Sequence, residues 1–373
     1  RSGSAAPLRQ RECIILVVLL GVYSFSSLFA IYPVDAWSKW QDLTKIIVMA
    51  LVTAFVLTEY KRLRYFLLVI GFSLAFYAVK GGIFAITTGG EYMVWGPGNS
   101  VIGANNNFGL ALNMCLPVLY FLSQEKQSAV IKRALQASFL LGIPAVMFTY
   151  SRASALALAI ILPVMILKGR KKFLVLGFFA LLGIATIGLI PQQWWQRQET
   201  TMQYEMDRSA TSRLDNWAFC WRLALDNPVT GGGFGYFSRE TLEHYAPGFI
   251  EKYDRVWDSH SIYFGMLAAH GFPGLFIFLL MILFCLLSCR RMKKQVRDRP
   301  ELRWVQLYAN MIQVSFLALL VNGAFVNMEY FDLVYHWAAV VAAMKVLVAK
   351  SLAENPATQE GVPNEESPWQ PAA

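Results

Sequence analysis

Long apolar runs alternate with short charged segments along most of the chain. Runs near 13–32, 43–59, 65–88, 106–122, 134–150, 153–167, 173–190, 262–287, 305–327 and 332–349 approach the length, about 20 residues, that carries a helix across a hydrocarbon core. Lipid cannot satisfy backbone polar groups, so each run is expected to be helical. The stretch 191–261 breaks the rhythm. It is polar, carries Arg197, Arg208, Arg213, Arg222, Arg239 and Arg255, and contains Gly231-Gly232-Gly233-Phe234-Gly235 with His260 near its end.

Composition agrees with a polytopic membrane protein: 373 residues, 56% hydrophobic, 15% charged and a mean hydropathy of +0.43. The net charge of +9 would suggest nucleic acid in a soluble domain. Its distribution points to cytoplasmic loops instead, with no nucleic-acid partner. Basic clusters precede the first run (Arg9, Arg11) and follow the second (Lys61, Arg62, Arg64), fourth (Lys126, Lys132, Arg133), sixth (Lys168, Arg170, Lys171, Lys172), eighth (Arg290 to Arg303) and tenth (Lys350). Ten crossings with both termini cytoplasmic put every cluster on one side. The expected organisation is a seven-span bundle over 1–190, a large extracytoplasmic loop over 191–261, three spans over 262–350 and a disordered cytoplasmic tail over 351–373, rich in Pro, Glu and Gln. Arg1-Ser2-Gly3-Ser4 reads as a remnant of cloning, and the first run as a retained span rather than a cleaved signal.

The segment 134–167 is almost continuously apolar. As one helix it would be about 50 Å long, against a core of about 30 Å, and basic clusters lie at both ends. It must therefore be a hairpin with Arg152 at the far tip. An arginine there either snorkels to the interface or meets water or an anion. The loop from Gly89 to Asn105 shares that outer side and is turn-rich. Lys80-Gly81-Gly82 is expected to break the third span near its outer end, and Asn105-Asn106-Asn107 to cap the fourth. Within the large loop, Thr211 or Ser212 suits the cap of a helix whose apolar positions are Leu214, Trp217, Ala218, Trp221 and Leu225. Two tryptophans on one face suggest a helix lying in the bilayer interface. Asn227-Pro228 should end it. Arg213 and Asp215 near its start are free either to pair with each other or to act separately.

Five cysteines, four of them in or beside apolar runs, make no disulfide framework, and neither they nor the four histidines show zinc spacing. No cofactor is expected. The outer face offers arginines and one well-placed histidine. Arginine's planar fork donates two parallel hydrogen bonds to phosphate oxygens and stays charged, and a neutral histidine takes a proton from a hydroxyl near neutral pH. Arg152, Arg213 and His260 are thus the parts needed to move a group from a pyrophosphate to an alcohol. A lipid-linked glycan transporter or flippase is the alternative of a different class. Polar residues along several spans would favour it, whereas here they gather on one face.

Three stretches carry a resemblance. Thr149-Tyr150-Ser151-Arg152-Ala153-Ser154 resembles the Ser-Arg motif of bacterial O-antigen ligases and polymerases. Ser212-Arg213-Leu214-Asp215-Asn216-Trp217, then Asn227-Pro228 and the glycine run, is similar to that family's large-loop pattern. Asp258-Ser259-His260-Ser261-Ile262-Tyr263, then Ala269-His270-Gly271-Phe272-Pro273-Gly274, is similar to its loop exit. Tyr77 to Phe84, Val94 to Gly98 and Gly103 to Asn107 further resemble the O-glycosylation ligases associated with exosortase systems. The resemblance covers about 30–345. It implies an all-α, GT-C-like bundle with one large periplasmic loop that contains helices, in the bacterial inner membrane. The implied activity is a metal-independent, inverting glycosyltransferase using an undecaprenyl-pyrophosphate-linked glycan, with the active site facing the periplasm and no cofactor. Arg152 and Arg213 would bind the pyrophosphate, with Tyr150, Lys80, Asn105, Gly233 and Gly235 as further substrate contacts, and His260 would activate the acceptor hydroxyl. The acceptor, on a lipid, a glycan or a protein, decides between ligase and polymerase. Relatives often have Asn where this chain has Ser261, and often begin with two further spans, an even number that preserves orientation.

Overall fold

The computed structural model describes residues 6–169, 211–254 and 258–354. The expected span 173–190, the cluster Arg170-Lys171-Lys172, the loop arginines Arg197, Arg208 and Arg255, and the tail beyond 354 lie outside the described residues. Among those described the fold is helical, without strands. The helices are α1 (Arg11–Leu28), α2 (Pro33–Val56), α3 (Tyr60–Thr87), α4 (Asn105–Leu122), α5 (Ala129–Met147) and α6 (Arg152–Lys168). Then come α7 (211–226), α8 (Arg239–Tyr245), α9 (Phe249–Tyr253), α10 (Ile262–Gln295), α11 (Arg303–Asn322) and α12 (Asp332–Glu354).

Among the described residues, six helices are long and apolar enough to cross a membrane: α1, α3, α5, α10, α11 with the 3-10 turn before it, and α12. The remaining expected spans that are described also form helices, but weaker ones by this measure. The first half of α2 carries Asp35, Lys39, Asp42 and Lys45, α4 opens on three asparagines and holds Asn113, and α6 has only 17 residues. Helix α4 is nevertheless buried on almost every side, because α3, α5, α6 and α11 surround it. A second group, α1, α2, α10 and α12, packs together, and α11 joins the two groups.

The 134–167 hairpin forms as expected: α5 ends at Met147 and α6 begins at Arg152. Two local expectations fail. Helix α3 runs unbroken through Lys80-Gly81-Gly82; the glycines serve packing, since a Cβ on Gly82 would lie 2.1 Å from the Leu141 carbonyl oxygen of α5, and small residues let membrane helices approach closely. The asparagines of α4 do not cap it, because Ala104 holds the cap position with no side-chain bond. Asn105 Nδ2 instead donates to Thr149 O (2.9 Å) and Asn107 Nδ2 to Val101 O (2.9 Å).

The two ends of the bundle differ chemically. At one end, Glu12 of α1 is fully buried and held by Lys345 of α12 (2.8 Å), Ser288 of α10 (2.5 Å) and Arg11 (3.2 Å). At the same end Arg64 pairs with Glu125 (3.0 Å), and Lys168 and Lys293 both donate to Asn310 Oδ1. Basic clusters from successive loops therefore meet there, as the charge pattern expects. At the other end, Ile31 N donates to Gly232 O (2.9 Å) and Ile262 N to Gly323 O (2.8 Å), joining α1 and α11 to the large loop and its exit.

Candidate active site

Helix α10 explains how the large loop is fixed. Pro273 has no N–H for Ala269 O four residues earlier, and Gly271 adopts φ 65°, ψ −169°, so the helix kinks. Phe272 N turns away to Pro228 O (2.9 Å), which frees Ala268 O as well. The freed carbonyls accept Gly232 N (2.8 Å) and Gly233 N (2.9 Å). Loop and helix thus exchange backbone hydrogen bonds, and the two carbonyls of Ala268 and Ala269 are satisfied. Gly233 has φ +76°, and a Cβ there would lie 2.2 Å from Ala30 Cβ, so the run is a seam between α1 and α10 that only glycine permits. Gly235, at φ +78°, faces Asp35 across the same seam. The Gly233 amide is spent on the protein rather than aimed at a ligand.

His270, just before the kink, is fully buried. Its Nδ1 pairs with Ser26 Oγ of α1 (2.6 Å) and its Nε2 with Tyr330 OH (2.8 Å), while Phe234 of the glycine run meets its ring edge-on at 4.5 Å. It locks the kink.

Helix α7 forms as the sequence expects and ends before Asn227-Pro228. Most of the expected stripe faces outward. Phe219, Cys220, Leu223 and Ala224 pack inward, while Leu214 (61%), Trp221 (46%) and Leu225 (53%) are exposed, an apolar outer face suited to a bilayer interface. Trp217 belongs to the protein instead. It stacks on Phe264 (5.0 Å, 11°) and donates to Ser259 O (3.0 Å), so the two tryptophans do not share one environment.

The His260 turn is held from several directions. Asn216 Nδ2 donates to Asp258 O (3.3 Å), Ser259 N to Asp258 Oδ1 (2.7 Å), and Asn327 Nδ2 to Asp258 Oδ2. His260 itself takes φ +50°, uncommon for a non-glycine residue and a form of strain that surrounding structure must hold in place. Among the described residues its side chain makes no hydrogen bond. Burial pushes its pKa down, Arg213 adds to that, and Asp258 opposes it.

Arg152 is the first residue of α6, with Ser151 as the cap, its Oγ accepting from Ser154 N (3.3 Å). Beneath it lies a polar core. Asn113 Nδ2 donates to Ser154 O (2.9 Å) and Asn322 Nδ2 to Ser154 Oγ (3.1 Å), so α4 and α11 both brace this turn. Tyr150, at φ +55°, donates from its hydroxyl to Gly90 O. Tyr150 and Asn105 therefore shape the turn that presents Arg152. Lys80 stands exposed on α3.

Arg152 and Arg213 lie within electrostatic reach of each other. Burial lowers the pKa of Arg213, and the nearby charge of Arg152 lowers it further. Asp215 does not pair with Arg213; it binds Lys252 Nζ (2.8 Å) and Tyr253 OH (2.8 Å). Among the described residues neither Arg152 nor Arg213 has a carboxylate partner. Two guanidinium groups within electrostatic reach of each other, and a histidine that feels the charge of one of them, are groups able to hold an anion beside a base. Sequence reasoning missed His270 and Glu329 as buried polar residues of this region. Pro273, four residues beyond Ala269, was the available signal for the kink around His270. No group of His, Cys, Asp and Glu among the described residues has metal-holding geometry.

Residues 137–279 match the O-Antigen ligase family, and residues 4–119 match a family of unknown function, DUF5935. No curated protein matches the chain. The first match spans the Arg152 turn, α7, the glycine seam and His260, so the geometry and the comparison meet on the same residues. The chain thus carries an O-antigen ligase domain over residues 137–279, which supports the resemblance to the O-antigen ligases and polymerases.

Proposed function

We propose that the protein is a membrane glycosyltransferase that moves a glycan from an undecaprenyl-pyrophosphate donor to an acceptor hydroxyl at the periplasmic face. The observation that supports this reading is that the turns bearing Arg152, Arg213 and His260 are tied together: Asn322 holds Ser154 behind Arg152, the adjacent Gly323 O holds Ile262 N behind His260, and Trp217 of α7 donates to Ser259 O. The charge of Arg152 reaches Arg213 and that of Arg213 reaches His260, and neither arginine has a carboxylate partner among the described residues. An isolated like-charge pair is unfavourable until an anion occupies it, and a pyrophosphate with its spread of oxygens matches two planar forks.

In the proposed reaction the acceptor hydroxyl gives its proton to His260 and its oxygen attacks the anomeric carbon. The bond from that carbon to the pyrophosphate oxygen breaks with inversion. The leaving pyrophosphate keeps the electron pair, and Arg152 and Arg213 stabilise its charge. His260 is suited to the role because its lowered pKa keeps the imidazole neutral at pH 7. Tyr150 and Asn105 support the reaction by holding the turn of Arg152, and the Gly233–Gly235 seam by fixing the loop against α10. Lys80 would reach the donor from α3. Ten crossings with both termini cytoplasmic, and an inner-membrane location, complete the proposal; the gathering of basic loops at the Glu12 end supports that orientation. The acceptor class, lipid, glycan or protein, separates ligase from polymerase.

The test is product analysis with protein in liposomes, purified donor and a panel of acceptors. Glycan appearing on one acceptor class, unaffected by EDTA, supports the proposal. Absence of any transfer, or loss with EDTA that Mg²⁺ restores, opposes it. Arg213→Lys should leave activity reduced about 100-fold, because Lys keeps charge but loses the bidentate fork.

A further inference from the structure

Glu329 lies in the connection between α11 and α12 and is only 6% exposed. Its Oε2 is buried and has no hydrogen-bond partner. The carboxyl occupies a niche on the first turns of α10. A Cβ placed on Gly265 would be 2.5 Å from Glu329 Oε1 and 3.1 Å from Ser259 Oγ, so carboxyl and serine flank one point directly behind the His260 turn. The connection is itself rigid. Tyr335 OH donates to Glu329 O (2.8 Å), Tyr330 OH pairs with His270 Nε2 (2.8 Å), and Asn327 holds the Asp258 carboxylate. A buried carboxyl oxygen without a partner is costly in a structural position and is a marker of function.

We infer that Glu329 is a positioning residue for the proposed transfer, a carboxyl wedged beneath the turn that presents His260. This inference rests on His260 being the reacting base, but the placement of the turn can be read without the reaction. The side chain acts uncharged. Burial raises its pKa well above the ordinary carboxylate range and the charge of Asp258 raises it further, against smaller opposing effects from its own backbone amide and from Lys39 of α2. The other titratable groups facing it are the phenols of Tyr23 on α1, Tyr335 on α12, Tyr330 beside it and Tyr236 in the large loop, and the thiol of Cys220 on α7. Protonated, Glu329 leaves Asp258 as the one negative charge beside the turn among these groups. Ionised, it would set a second negative charge behind Asp258 and drive the turn apart. Gly265 fits this reading, because any larger residue would fill the niche.

Glu329→Gln keeps the shape and neutrality of the protonated acid, whereas Glu329→Ala empties the niche. With the full-length protein in detergent and labelled histidine, NMR titration should give His260 the same pKa in wild type and Glu329→Gln and a shifted one in Glu329→Ala. Infrared difference spectra should show a protonated-carboxyl band in wild type that Glu329→Gln lacks. In the transfer assay, Glu329→Ala should lower kcat about 10- to 100-fold at unchanged donor KM, the scale of a misplaced catalytic group, with Glu329→Gln rescuing it and abolishing the loss of activity that ionisation of Glu329 should cause at high pH. The inference is overturned if His260 titrates identically in all three proteins. It is also overturned if Glu329→Gln, folded and binding donor, is as impaired as Glu329→Ala, since the carboxylate would then act as an ion. Failure of wild type to transfer glycan would remove the proposed reaction but leave the His260 titration and the infrared band to decide the placement of Glu329.

Discussion

At the scale of single residues, the chemistry rests on what surrounds His260. An exposed imidazole titrates near 6.5; burial and Arg213 both lower that value here, and Asp258 raises it. The sign is then fixed. The base is free at neutral pH, and its protonation lowers activity as pH drops through the lowered pKa. Asp258→Asn, which removes the opposing charge, should move the His260 titration to still lower pH, and Arg213→Gln should move it up. Histidine NMR in detergent checks both, and a shift of the opposite sign in either variant would mean that another group controls His260. The same scale shows what the sequence could reveal. Arg152, Arg213 and His260 stood out because polar groups at span boundaries need a reason to be there. Glu329 did not, since a glutamate between two spans reads as a solvated loop residue until its burial is seen. The Arg213–Asp215 alternative was open in the sequence because spacing alone permits it; Lys252 and Tyr253, distant in sequence, take the carboxylate.

At the scale of elements, the kink in α10 and the glycine run are one device. Neither half is interpretable alone: Pro273 and Gly271 release two carbonyls, and Gly232 and Gly233 supply two amides. Adding a methyl at Gly233 would strain a φ of +76° and press on Ala30. Gly233→Ala should therefore destabilise the protein by about 1–3 kcal/mol, read as a lower Tm in detergent, and a Tm equal to wild type would refute the seam. The periodicity of α7 and the outward face of most of its stripe were legible in the sequence, but the stacking of Trp217 on Phe264 was not. Leu214, Trp221 and Leu225 form an apolar stripe suited to the bilayer interface. Phe219, Cys220 and Leu223, on the other side, took the protein. The α5–α6 hairpin was legible because a span-length argument needs no partner. The packing of Gly82 on Leu141 was hidden because it depends on a neighbour the sequence does not identify.

At the scale of the whole molecule, two groups of helices are joined by α11, and the ion cluster at Glu12 ties α1, α10 and α12 together far from the reacting groups. Lys345→Met would leave the buried Glu12 carboxylate short of its cation and should cost about 3–5 kcal/mol, while replacing both Glu12 and Lys345 by Met should recover most of the loss. Thermal unfolding of the three variants checks this, and equal loss in the double variant would show that packing rather than charge is at stake. The same architecture places the Arg152 turn, α7 and the His260 turn together at the other end, contributed by separate parts of the chain and braced by Asn322 and Asn327. The central claim is that these three groups divide the work, arginines for the pyrophosphate and histidine for the acceptor. Parallel donor binding and transfer by purified wild type and His260→Ala in liposomes tests it most directly. The account predicts unchanged affinity for the lipid-pyrophosphate donor and transfer reduced at least about 100-fold in the variant. Near-normal turnover by His260→Ala would contradict it.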